Sequence, residues 1–357
     1  MNAKIKSLIK MLCLTCALLF FFSQTGLFKK SSQDGSNTSG SYVKHDFAMG
    51  TSFQFEVYGN DLENVTEDCI ALVRSVDEGL LSRRKNTSEL FKLNETLSTC
   101  NEAEVSDELF SVLQKTMQIC VASGGALDFT IRPVSALWNI EDADADSFLV
   151  PEQSEISNQL KRVGYEYVAL DENGQRNIVS TQISSMEFEL GAVGKGYALD
   201  VMRAYLAKHG NVTGAVIHAG GSVLVYGTKD DNSSFKIGIR DPKGNIDDII
   251  GYLEYQAGTT ICVSTSGDYE KYIEKDGIRY HHIIDGILGY PADAGLSSVT
   301  VACEDGLYSD ALSTACFVLG YEKSLPLLQQ FHAEAVFIDH DNNVICTEGI
   351  ADHFHEL

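Results

Sequence analysis

ELGAVGKGYALD, Glu189 to Asp200, sets a lysine among three glycines, with an acid two residues before the first of them. A nucleotide-binding P-loop needs two glycines flanking four residues, then Lys, then a Ser or Thr for magnesium. Gly191 and Gly194 are too close together for that, and Gly196 follows Lys195 where the hydroxyl belongs. A dinucleotide fingerprint fails too, because it wants three glycines at fixed offsets between a strand and a helix, with an acid about twenty residues on. Locally the stretch reads as a strand ending at Glu189-Leu190, a glycine turn, and a helix from Tyr197 to about His209.

The segments on either side decide what surrounds that turn. FQFEVY, Phe53 to Tyr58, alternates as a half-buried strand does. Helical spacing runs from Asn64 to Leu81 through Cys69, Leu72, Val73 and Val76, and from Asp107 to Ser123 through Phe110, Leu113 and Ile119. Strand-like runs follow at Gly214 to Tyr226, Phe235 to Ile239, Gly251 to Tyr255, Thr259 to Ser264 and Ser298 to Cys303. A helix is expected at Ser309 to Gly320 and a closing hairpin at Ala335 to Asp339 with Val344 to Thr347. Strands and helices mix without strict alternation, which predicts an α+β fold, a single large domain of mixed or antiparallel sheets with packed helices.

The chain has 357 residues, 44% of them hydrophobic, enough for a substantial core. Its net charge of -23 argues against nucleic acid, whose phosphates are bound through clustered Lys and Arg. A polyphosphate ligand would need a local basic group or a metal ion to offset that acidity. Lys4, Lys6 and Lys10 precede an apolar run from Met11 to Phe22, so residues 1–28 are expected to be a signal peptide or membrane anchor. KKSSQDGSNTSGS, 29–41, has the composition of a flexible linker, leaving 42–357 as the folded domain. The expected location is outside the cytoplasm, at the outer face of the cell membrane or in the periplasm. Nine cysteines, two of them in the leader, show no metal-ligand spacing and define no disulfide framework.

Further stretches combine polar residues with strand ends or helix starts: Met49-Gly50-Thr51, GALDFTIRPVSALW (Gly125 to Trp138), STSGDY (Ser264 to Tyr269), HHIID (His281 to Asp285) and SDALSTACFVLG (Ser309 to Gly320). Asp310 and Thr314, at i and i+4, place a carboxylate and a hydroxyl on one helix face. Two such oxygens can ligate magnesium, though the same residues also suit a capped helix with an interior hydroxyl. His281 and His282 precede Ile283-Ile284-Asp285, read as a short strand; a histidine there can act as a general base, or be structural.

In their order these stretches resemble the FAD:protein FMN transferase family (ApbE type). The matching elements are Met49 to Thr51, Leu127 to Trp138, Glu189 to Tyr197, Gly220-Gly221, Thr265 to Tyr269, His282 to Asp285 and Asp310 to Ala315, spread over about 270 residues. The resemblance implies that the glycine-lysine loop serves FAD and magnesium. It implies a metal held by the Ala192 carbonyl, Asp310 and Thr314. The flavin nucleotide would be contacted by Met49, Ala126, Leu127, Asp128, Glu189, Lys195, Ser266, Gly267 and Ile283. The reaction implied is attack of an acceptor protein's threonine hydroxyl on the FMN-side phosphorus of FAD, with AMP leaving and His282 as general base. FAD is then a substrate, the partner is an acceptor protein with a flavinylation-site threonine, and the N-terminus is a possible membrane tether. A magnesium-dependent FAD pyrophosphatase would use the same residues, and a non-catalytic FAD-binding protein is the third reading. Two departures stand out. Gly286-Ile287-Leu288-Gly289 follows Asp285 where the family has Pro, a basic residue, Thr and Gly, and Ser82-Arg83-Arg84 lies where many members place an aromatic. Arg84 would either stack on the flavin through its guanidinium plane or belong to a solvated basic loop.

Overall fold

The computed structural model describes residues 40–143 and 145–357. The expected leader and most of the linker lie outside the described residues, but Gly40 and Ser41 already belong to the first strand, Gly40–Ala48. Eight strands form one sheet in the order Gly40–Ala48, Thr51–Gly59, Val212–Ala219, Ser222–Gly227, Ile261–Gly267, Leu296–Cys303, Glu334–Asp339 and Val344–Cys346. Every neighbouring pair is antiparallel, as the mixed order of elements predicts. Side chains alternate across it: Ala335 and Phe337 pack with the helices, while Val336 and Ile338 face a three-stranded sheet built from Phe235–Arg240, Ile249–Tyr255 and Phe354–Glu356.

Several expected boundaries shift, each for a local reason. The run Gly214 to Tyr226 is two strands folded back at Gly220-Gly221, and a side chain at Gly220 (φ +58°) would sit 2.6 Å from the Thr51 hydroxyl. The helix beginning at Leu62 passes at Ser75 into π-helical turns that end at Leu81. No regular strand ends at Glu189-Leu190; Glu187 makes a single bridge to Ile131. The strand expected after the histidines precedes them instead, as Ile278–His281 paired with Tyr272–Lys275. The altered turn after Asp285 is well formed: its carboxylate accepts from the N–H groups of Ile287 and Leu288, and Trp138 donates its indole N–H to the Gly289 carbonyl at 2.7 Å.

The expected helix at Tyr197 starts three residues earlier, as Gly194–Leu206, so Lys195 and Gly196 lie in its first turn. It crosses the helix Gly306–Leu319 almost backbone to backbone. A Cβ on Gly196 would lie 1.9 Å from the Gly306 carbonyl oxygen, and one on Gly306 would lie 2.4 Å from that of Gly196. Helical glycine costs about 1 kcal/mol relative to alanine, and here close approach explains it. Asp200, one turn on, accepts from the N–H groups of Gly306 and Leu307 at 2.8 and 2.9 Å, tying the start of the second helix to the first. Gly196→Ala must push the two helices apart, so it is expected to destabilise the fold by about 1–3 kcal/mol, the usual cost of overpacking. An unchanged urea-unfolding midpoint in that variant would show that the crossing tolerates a methyl group.

Candidate functional site

The glycine crossing sets Asp310 directly over the first turn of the lysine-bearing helix. Asp310 is 3% exposed. Its Oδ2 accepts from the Gly196 N–H at 3.0 Å, its Oδ1 accepts from the buried Ser222 hydroxyl at 3.3 Å, and Lys195 Nζ lies 3.2 Å from Oδ1. The same ammonium reaches the Gly191 carbonyl at 3.5 Å. Gly196 lies in the first turn of its helix, where a backbone N–H has no intrahelical partner. Asp310 takes it, and among the described residues the Ala192 carbonyl receives no backbone N–H. One turn beyond Asp310, the Thr314 hydroxyl pairs with Ser266 at 3.1 Å, and Ser266 also pairs with Ser313 at 2.8 Å.

The expected metal residues and two nucleotide residues thus come from three separate segments. A carboxylate, a hydroxyl and a free carbonyl are the donors a hard cation takes, and Lys195 shows that the carboxylate already holds a positive charge. Among the described residues no group of three His, Cys, Asp and Glu could bind a metal, so a softer metal has no ligand set there.

Met49 is placed by strain. The two-residue hairpin turn Met49-Gly50 has φ of +51° and +72°, a conformation that favours Asn or Gly over Met. The Met49 N–H donates to Asp77 Oδ2 at 2.9 Å from the π-helical segment, which holds the turn, and the thioether methyl lies beside Gly194. Such π-helical insertions recur at functional sites.

Glu189 accepts from Arg83 Nε at 2.7 Å and from the Ser135 hydroxyl. Arg83 also reaches Glu141, which in turn pairs with Arg84 and Lys271. Burial pushes the Glu141 carboxyl up, but Lys271 first and then Arg83 hold it down at about 2. Arg84, half-exposed, pairs with Glu141 and Asp142. Sequence reasoning missed Arg83, Glu141, Asp77 and Ser222. The only local signal was the Arg-Arg pair ahead of an acidic Glu141-Asp142 pair, and nothing in spacing says that the two meet.

Asp128 is half-buried, and its carboxylate is held on both sides: one oxygen accepts from the Thr130 amide and hydroxyl, the other from the Tyr165 N–H. Its carboxylate shapes the loop Gly125–Asp128. With Gly124, Gly164, Tyr165 and Gly286, that loop borders a cavity of about 300 Å³. Ala126, Leu127 and Ile283 are buried, and Gly267 ends the strand that carries Ser266.

The two histidines separate cleanly. His281 is buried, with Nε2 on the Ala292 carbonyl at 2.9 Å and Nδ1 accepting from the Ile283 N–H, so it is structural. The His282 ring makes no hydrogen bond among the described residues, and its Nδ1 is sealed from solvent without a partner. Burial first, and then Lys271, push its pKa down to about 4, while Glu141 opposes them; Lys195 also acts on it. It is therefore neutral at physiological pH and able to accept a proton.

These segments define an α+β protein in which a buried carboxylate, a lysine and a serine-threonine hydroxyl pair are brought together from three stretches of the chain. A family profile described as ApbE matches residues 49–337, and the chain belongs to the ApbE family. It is 31% identical to an FAD:protein FMN transferase of Treponema pallidum over 88% of this chain and 89% of that protein. It is also 31% identical to one from Klebsiella pneumoniae, over 83% and 89%. The crystal structure of the ApbE protein from Thermotoga maritima superposes with a TM-score of 0.79 at 31% identity, covering 89% of this chain and all of that one.

A pH test follows from His282. Between its ordinary value of 6.5 and about 4 the unfolded chain binds more protons at this residue than the folded one, so its contribution to stability falls as pH drops through that window. His282→Gln removes the titration. The stability of wild type relative to this variant should therefore decline between pH 6.5 and 4 in urea-unfolding midpoints; a constant difference would place the ring in water.

Proposed function

We propose that this chain is a magnesium-dependent FAD:protein FMN transferase. It moves FMN from FAD to a threonine hydroxyl of an acceptor protein and releases AMP. The observation that carries the reading is the Asp310 carboxylate, buried over the glycine-lysine turn with the Ala192 carbonyl left free beside it. The names and coverage of the relatives support the same reaction.

Magnesium would be held by Asp310, Thr314 and the Ala192 carbonyl, and when bound it supplies positive charge against the pyrophosphate oxygens and the leaving AMP. The protein's own residues do the rest. Lys195, released from Asp310, turns its ammonium toward a phosphate oxygen and offsets the acidity of the whole chain. Met49, Ala126, Leu127, Asp128, Glu189, Ser266, Gly267 and Ile283 hold and orient the nucleotide, with Glu189 kept in place by Arg83 and Ser135. His282, neutral and without a competing hydrogen bond, takes the proton of the threonine hydroxyl as its oxygen bonds to the FMN-side phosphorus. The bond from that phosphorus to the AMP oxygen breaks, and AMP leaves with the electron pair. We place the domain outside the cytoplasm, tethered or released through the basic and apolar segment at Met1 to Phe28.

Incubation with FAD and magnesium, with and without an acceptor domain, tests the reaction. AMP release in step with an FMN-sized mass gain on the acceptor is expected. Equal AMP and free FMN without acceptor would instead make the chain a pyrophosphatase, and neither product would leave a flavin-binding protein. Asp310→Ala should lower magnesium-dependent AMP release on the order of a hundredfold or more while the circular dichroism spectrum is retained; full activity would refute the metal assignment. His282→Ala should slow transfer by about 10²–10⁴-fold with FAD affinity kept, and a full rate would remove it from proton transfer.

A further inference from the structure

Ser266 faces Thr314, so the next residue along the strand, Gly267, faces the opposite side of the sheet. There the Tyr269 ring packs against Gly267, within 3 Å of where a side chain would start. Behind it lies a cavity of about 470 Å³ lined by Arg240, Lys243, Asp268, Tyr269, Arg279 and Ser297, among others. It shares only the strand end with the catalytic pocket.

Three features mark this cavity as built for a ligand. The first is unspent hydrogen-bonding capacity. Arg240 Nε is buried without a partner, and its guanidinium makes no ion pair among the described residues, stacking instead 4.7 Å above the Tyr269 ring. Tyr269 is 6% exposed, and its hydroxyl faces that of Ser298, neither having a hydrogen bond of normal geometry. Buried polar groups left this way cost stability unless a partner arrives.

The second is charge. Arg240, Lys243 and Arg279 line the cavity against one acid, Asp268, which is already paired with Arg279 at 3.3 Å. Two further carboxylates lie close by: Asp241, which accepts from Asn342 and the Lys243 N–H, and the exposed Asp293 beside His340. In a chain of net charge -23, Arg240 and Lys243, which make no ion pair among the described residues, set this cavity apart from its surroundings. The third is backbone. The ladder slips between Ile239 and Arg240 and again between Leu296 and Ser298, so the strands carrying Arg240 and Ser297 are both irregular at the cavity. Bulges re-aim side chains at sites of this kind.

We propose that this cavity is an oxyanion-binding site, taking a carboxylate or phosphate group on Arg240, Lys243 and the Tyr269 hydroxyl, on the opposite face of the strand from the catalytic pocket. Arginine's planar fork suits both groups, and the Tyr269 ring fixes its plane. The group has two sources: a small phosphorylated molecule, or an acidic side chain of a polypeptide reaching the same strand end.

Isothermal titration of the whole chain at low salt with inorganic phosphate, and separately with N-acetyl-aspartyl amide, tests the assignment. The wild type should bind at least one probe, Arg240→Gln should weaken it about tenfold, the scale of one charge-assisted contact, and Tyr269→Phe should weaken it less. FAD affinity should not change in either variant. Tighter binding of phosphate assigns the site to a small molecule, and tighter binding of the aspartyl probe to a polypeptide. Binding of neither probe, or equal binding by wild type and Arg240→Gln, overturns the proposal. Because these readouts need neither turnover nor acceptor, the result stands apart from that of the transferase assay.

Discussion

Two helices touch where neither has a side chain, at Gly196 and Gly306, and the site exists because of that contact. With any residue larger than glycine on either side, Asp310 would be carried away from the first turn of the lysine helix. At the observed separation its carboxylate takes the Gly196 N–H, an orphan donor of the helix's first turn, and among the described residues the Ala192 carbonyl receives no backbone N–H. One packing constraint thus produces a negative charge, a free carbonyl and an ammonium within the same few ångströms. Asp200 reinforces it by capping the second helix from the first. Its own carboxyl is pushed up to about 6, by burial first and by Asp305 next, so holding the two helices together carries an electrostatic cost.

A strongly acidic protein that handles a pyrophosphate must supply positive charge locally, and the structure does so in two tiers. Lys195 answers Asp310 directly, while Arg83, Arg84 and Lys271 converge on Glu141 nearby. The second tier is largely neutralised and serves to position: Arg83 fixes Glu189, and Lys271 with Glu141 sets the field at His282. The strain at Met49 belongs with these costs, since a hairpin built for stability alone would place Asn or Gly there.

Much of this was legible in the sequence where a residue type or period carries its own physics. Alternation located the strands, 3.6-residue spacing located helices within Asn64 to Leu81 and Asp107 to Ser123, and Asp310 and Thr314 share one helix as their i, i+4 spacing predicts. What stayed hidden depends on long-range contacts. The helix at Gly194 was read as starting at Tyr197, because glycines look like a turn until the partner helix is seen against them. That Thr130 and Tyr165 also hold the Asp128 carboxylate could not be read, because Tyr165 comes from a distant segment. The two histidines were equivalent in the sequence, and only the carbonyl of Ala292 shows that His281 is the structural one. Arg83 and Glu141 meet across 58 positions, a contact no local pattern encodes.

The most direct test of the account is anomalous diffraction from crystals soaked with manganese and FAD. The account predicts one strong manganese peak within coordinating distance of the Asp310 carboxylate, the Thr314 hydroxyl and the Ala192 carbonyl, with the Lys195 ammonium swung away from Asp310 onto a phosphate oxygen. A manganese peak elsewhere, with Lys195 still paired to Asp310 and FAD bound, would contradict it.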